Sequence, residues 1–128
     1  TYDFILFKSM LGGIGRIGSG KLQMDVIQQI HTSLKKGGEV LFIENMMGTC
    51  FHHYFRNRYG AGKNYWCYPT LKKFGEFSKL FDKVSYRTFG VIGGGDFPLK
   101  LFRSKMDVGL ENILPKHWNY IYAGVYQK

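Results

Sequence analysis

Two short apolar runs, Tyr2 to Phe7 (YDFILF) and Glu39 to Ile43 (EVLFI), flank one stretch of helical periodicity, and that order constrains the fold of this 128-residue chain more than any other feature. Each run is too dense in apolar side chains for an alternating, half-exposed strand, so the first in particular is expected to be buried on both faces. Between them Leu22, Val26, Ile27, Ile30 and Leu34 recur at helical spacing, with Gln23, Gln28, Gln29 and Lys35 on the polar side. The spacing predicts a helix over 21–36, started by Ser19 or Gly20 and ended by Gly37 in a left-handed conformation. Strand, helix, strand in this order implies a parallel pair joined by a crossover.

The remainder continues the alternation. Residues 45–69 are expected to be a long, mostly irregular segment on the substrate side of the domain, rich in His, Arg and aromatics. Thr70 can cap a helix carrying Leu71, Phe74, Phe77, Leu80 and Phe81 on one side. A third strand is expected over 83–89. Gly93-Gly94-Gly95 breaks the chain, Pro98 to Asn112 reads as a short helix within an insertion spanning 93–117, and Trp118 to Gln127 as a final aromatic strand. The expectation is one α/β domain over 1–128, with about four strands and three helices.

The stretch GGIGRIGSGK, residues 12 to 21, fits two phosphate-loop patterns at once. Gly13, Gly15 and Gly18 spell G-x-G-x-x-G, but five residues separate the strand from Gly13, and the next acid, Glu44, lies farther on than a dinucleotide fingerprint places it. Gly15, Gly20 and Lys21 spell G-x-x-x-x-G-K, yet Leu22 stands where a magnesium-binding hydroxyl belongs. P-loop-like nucleotide binding at Gly15 to Lys21 stays an alternative. The other reading is a flexible glycine-rich connection with no ligand.

Composition narrows the classes. No apolar run is long enough to span a membrane, and Cys50 and Cys67 lack metal-ligand spacing, which suits free buried thiols and a cytoplasmic location, with no metal site. The 17% aromatic residues are spread along the chain, as core residues are. A net charge of +9 favours anionic partners, but its cations, among them Lys35, Lys36, Lys72, Lys73, Arg87, Lys100, Arg103 and Lys105, are dispersed. A nucleic-acid or anion-binding module without catalysis is therefore the second reading. The chain opens on Thr1-Tyr2-Asp3, directly on a strand, and reads like a piece of something longer.

Y-D-F-I-L-F-K-S-M-L-G (2 to 12) and I-H-T-S-L-K-K-G-G-E-V-L-F-I-E-N (30 to 45) together resemble the fourth and fifth strands of class I S-adenosylmethionine-dependent methyltransferases, with Lys36 where the turn commonly has Pro. The resemblance covers essentially the whole chain and implies a partial Rossmann-like methyltransferase sheet, strands four to seven, with the last antiparallel. Nothing in the chain corresponds to the family's first two strands, which hold most of the cofactor. The resemblance thus implies methyl transfer from S-adenosylmethionine to a small-molecule or glycan-type acceptor, with the main cofactor-binding half lying elsewhere. It also implies that the edge of Tyr2 to Phe7 pairs with that half or with a second copy.

Ligands of open α/β sheets lie beyond the carboxyl ends of the strands. On the strength of the resemblance, Lys8, Ser9, Met10 and Leu11 become the cofactor wall, and Glu44 and Asn45 face the acceptor. The Asn/Asp-Pro-Pro-aromatic motif of many amino-group methylases is absent after Glu44. His52 and His53 are the candidate bases, and Arg56 a candidate clamp for an acidic or hydroxylated substrate, on the same side as His52 if that stretch is helical. Trp66 and Tyr68 are read either as a stacking surface for substrate or as residues buried beneath the loop.

Overall fold

The structure, a computed structural model, describes residues 1–59, 65–92 and 100–128, the side chains of 17–19, 55, 59, 100 and 103 apart. The elements in chain order are β1 (Tyr2–Lys8), α1 (Leu11–Ser33), β2 (Leu34–Asn45), α2 (Cys50–Tyr59), α3 (Leu71–Ser78), β3 (Lys83–Phe89), α4 (Lys100–Glu111), a 3-10 turn (Lys116–Trp118) and β4 (Ile121–Gln127). The Gly93 to Gly95 break and Pro98 lie outside the described residues.

The four strands form one sheet in the order β1-β2-β4-β3. β1 and β2 run parallel, while β4 is antiparallel to both of its neighbours. This is an α/β domain with an open mixed sheet, as the alternation of elements predicts. The helical segment 70–81 is realised as α3, with Thr70 accepting a capping hydrogen bond from the Lys73 amide at 3.2 Å and with Phe74 and Phe77 fully buried.

The register sorts the sheet into two faces. One row of inner residues runs Phe7, Phe42, Gly124, Tyr86, and the next runs Ile5, Val40, Tyr126, Val84. Gly124 leaves a gap in an otherwise aromatic row, and Tyr122, one inner position along β4, leans into it. An added Cβ at Gly124 would stand 2.9 Å from both the Phe42 and Tyr122 rings. The result is a ladder across all four strands: Phe7 stacks on Phe42 at 4.9 Å, Phe42 on Tyr122 at 5.8 Å, and Tyr122 on Tyr86 at 5.1 Å. Phe74 of α3 lies flat on Tyr122 at 3.9 Å. The Tyr122 and Tyr126 hydroxyls share a hydrogen bond of 2.6 Å, and burial pushes the Tyr126 phenol up to about 12 and that of Tyr122 higher still. The aromatic residues of the sequence thus form much of the core, together with Leu11, Ile27, Leu34 and Met46.

Three expectations are corrected. The helix after β1 begins at Leu11 rather than near residue 21, so Gly12 to Lys21 lie inside α1 and the loop that both phosphate patterns require is not formed. Each mid-helix glycine costs about 1 kcal/mol against alanine, but two of them admit close neighbours: a Cβ at Gly12 would meet the Tyr68 ring at 3.2 Å, and one at Gly15 the Cys67 side chain at 2.8 Å. Tertiary contact, not propensity, decides this helix. Gln23, expected on its polar side, is buried and its amide donates to the carbonyls of Leu11 and Cys67, both at 2.8 Å. Gly37 does take a positive φ of 79°, but within the irregular start of β2, since the chain is already extended from Leu34.

The second correction concerns β1. It is the edge strand, and rather than being buried on both faces it exposes Tyr2, Phe4 and Leu6, the last by 65%. Leu6 heads an outer row with Leu41 and Val125, and Ile43 and Ala123 continue this face; all are half-buried or exposed. Third, the thiols of Cys50 and Cys67 are free but exposed, not buried.

Candidate functional site

Ser9 has a φ of 52°, a conformation non-glycine residues seldom adopt, and it bends the chain from the end of β1 into α1. Its amide donates to the Ile43 carbonyl at 2.9 Å, which holds the turn against the end of β2. The first amides of α1 have no partners within the helix and point towards the same corner. Glu44, on the inner face of β2, meets them: Oε1 accepts from Met10 N at 2.6 Å and Oε2 from Leu11 N at 3.2 Å. The carboxylate is almost fully buried, and burial raises its pKa, opposed by these two hydrogen bonds.

Of the cofactor-wall residues, Lys8 and Ser9 are exposed and Met10 half-buried, whereas the Leu11 side chain is wholly within the core and its amide is held by Glu44. Glu44 and Asn45 separate in the same way. Glu44 points inward, and Asn45 lies beside the turn, its Nδ2 3.4 Å from Ser9 Oγ.

Segment 45–69 is more regular than expected, because α2 occupies Cys50–Tyr59. Thr49 starts this helix: its hydroxyl accepts from His52 N at 3.4 Å, and its own amide donates to His52 Nδ1 at 3.1 Å. This is the reciprocal arrangement of a capping box, with His in the place usually taken by Glu or Gln. Gly48, at a φ of 63°, makes room, since a Cβ there would lie 2.7 Å from His52 Nδ1.

With α2 helical, His52 and Arg56 share a side. The His52 ring lies 5.2 Å from that of Tyr120, and the Arg56 guanidinium sits between Tyr68 at 4.2 Å and Tyr120 at 5.5 Å. Arg56 also donates to the Met46 carbonyl at 2.5 Å and to that of Tyr120 at 3.4 Å. It ties the end of β2, segment 65–69 and the start of β4 together. Burial lowers the pKa of Arg56 and of His52 and raises that of Tyr68, so His52 is held neutral at physiological pH. No carboxylate pairs with Arg56 among the described residues.

His53 lies elsewhere, exposed, with its Nε2 3.0 Å from Asn57 Nδ2. Trp66 is exposed and meets Tyr68 edge-on at 6.1 Å, while Tyr68 is half-buried against Gly12. The structure therefore forms two groups near the carboxyl end of β2, Ser9 with Asn45 at the turn into α1, and His52, Arg56 and Tyr68 around Tyr120, with Trp66 against Tyr68. Leu11 and Glu44 lie beneath the Ser9–Met10 turn, and His53 contacts Asn57.

Sequence reasoning passed over Tyr120 and Gln23. Tyr120 is one aromatic among many in WNYIYAGVYQ, and no local pattern marks it as the ring that both Arg56 and His52 approach. No group of three or more metal-ligating side chains occurs among the described residues. The sequence matches no protein-family model, and no curated protein matches it.

Proposed function

We propose that this chain takes part in S-adenosylmethionine-dependent methyl transfer to a small-molecule or glycan-type acceptor, contributing the acceptor side and one wall of the cofactor cleft. The observation that supports the reading is the open α/β sheet in which the final strand, β4, runs antiparallel to its neighbours, as the resemblance implies of the last strand. Ser9 Oγ, the Asn45 side-chain amide and the Met10 side chain offer polar and apolar surface for one side of a nucleoside-amino-acid cofactor. They do not amount to a complete site. The second half of the cradle comes from a segment or subunit that pairs with the exposed β1 edge.

S-adenosylmethionine supplies a methyl group made electrophilic by its sulfonium. The acceptor's lone pair forms the new bond to the methyl carbon as the carbon–sulfur bond breaks, its electron pair remaining on sulfur. The protein's part is mainly alignment, with a base for acceptors that lose a proton. Arg56 and Tyr68 orient an acidic or hydroxylated acceptor, with Trp66 as a stacking surface, and His52 would act as the base once its Nδ1 is released from the Thr49 amide.

The test is S-adenosylmethionine binding by the natural full-length protein containing this chain, followed by titration calorimetry. Saturable binding weakened by Asn45→Ala supports the reading, and no binding overturns it. If the isolated chain proves to be a monodisperse monomer with micromolar affinity for the cofactor, the requirement for a second half is wrong. The basic-module reading predicts instead an affinity for nucleic acid that falls steeply with salt.

A further inference from the structure

α4 has the sequence KLFRSKMDVGLE, and its two acids are both turned inward. Asp107 Oδ1 accepts from the amides of Val91 at 2.9 Å and Ile92 at 2.7 Å, and Glu111 Oε1 accepts from Gly90 N at 2.8 Å. One helical turn apart, these carboxylates fix the rotation of the helix about its axis. At about 3.6 residues per turn, Phe102, Lys105 and Gly109 then lie on the opposite side, flanked by Leu101, Met106 and Val108.

That outward side is apolar and open. Leu101 is 83% exposed, Phe102 and Val108 61%, and Ile113, just beyond the helix, 80%. A cluster of this size on one helix marks an interaction surface. Its charge is one-sided, because Lys105 lies within the apolar arc and both acids are engaged against backbone amides. The chain as a whole carries a net charge of +9, which opposes the approach of a second copy and favours an anionic one.

We propose that α4 lies in the plane of an anionic lipid surface, with Leu101, Phe102, Met106 and Val108 inserted at the level of the headgroups and Lys105 reaching up to the phosphates. Bulky apolar residues of an interfacial helix sit below the headgroups, and a lysine within their arc can lay its aliphatic stem along them and raise its ammonium to the phosphates. No helix among the described residues is long and apolar enough to cross a membrane, so the contact is peripheral. It also lies close to the candidate site: the Gly90 carbonyl accepts from Tyr120 N at 2.9 Å, and the Asp107 charge acts on His52.

Sedimentation of the chain with vesicles made of equal parts phosphatidylserine and phosphatidylcholine tests the inference. Binding is expected to anionic vesicles, to fall at least about tenfold in Leu101→Glu/Phe102→Glu, and to be much weaker on pure phosphatidylcholine. In an independent measurement, Phe102→Trp should add a tryptophan emission that shifts to the blue with anionic vesicles. Absence of vesicle binding, or binding that the double variant leaves unchanged, overturns the proposal. A monomer–dimer equilibrium abolished by the double variant, without vesicle binding, would assign the face to a second copy instead.

Discussion

On the inner face of the sheet, Phe7, Phe42, Tyr122 and Tyr86 touch ring to ring beneath α1 and α3, whereas on the outer face Leu6, Leu41 and Ile43 stand half-buried or exposed. Both rows come from the same strands and are similarly apolar. The difference is that two helices of this chain close one row and, among the described residues, no comparable cover reaches the other. An edge strand with an open backbone and three large exposed side chains is a feature that folded proteins ordinarily protect. The inner face is thus closed over β1, β2 and β4, with Tyr86 and Val84 of β3 still exposed, and the outer face is open.

Single substitutions can break that contrast. Phe42→Ala should cost about 4 kcal/mol of unfolding free energy, measured by chemical denaturation, because its ring contacts Phe7, Phe74, Tyr122 and Tyr126. A loss below about 1 kcal/mol would mean that the inner face is no better packed than the outer. Gly124→Ala should cost about 2–3 kcal/mol by overpacking, since its Cβ would press on two rings of the ladder. If it is neutral, the ladder is looser than its geometry.

Glu44→Gln is expected to cost about 1–2 kcal/mol at pH 7, as a charge-assisted pair of hydrogen bonds is replaced by a neutral one. The pH dependence gives a sharper test. Burial raises the folded-state pKa of Glu44, so the folded protein holds its proton more tightly than the unfolded chain. That contribution is fully present below the ordinary carboxylate pKa and is lost as pH rises through the raised folded value. The stability of wild type relative to Glu44→Gln should accordingly fall as pH increases across this range, and a rise would mean that the two amides outweigh burial.

The smallest effect is expected on the outer face. Leu6→Lys should change the stability of the isolated chain by no more than about 0.5 kcal/mol, while reducing association through β1 in sedimentation velocity. A large loss of stability would show that Leu6 is already covered.

The boundaries of β3, the Thr70 cap and the apolar side of α3 were legible because each rests on local signals of period or capping. The start of α1 was not, because six of the ten residues of GGIGRIGSGK, five glycines and Ser19, argue against a helix, and the contacts of Cys67 and Tyr68 that outweigh them come from far along the chain. For the same reason Gln23 read as polar surface. The exposure of β1 could not be read from YDFILF, since composition reports what a strand is suited to touch and not whether its cover is present. In the candidate site, the pairing of His52 with Arg56 followed from helical spacing. Their meeting with Tyr120 depends on the order of strands in the sheet, which no local pattern carries.

Glu44 has one more consequence. The positive end of α1 has its counter-charge built into the fold, so the corner where β1, β2 and α1 meet offers incoming molecules neither an unsatisfied cationic pole nor a bare acid. Whatever docks at that corner meets Ser9, Asn45 and the exposed Lys8 rather than the pole of the helix.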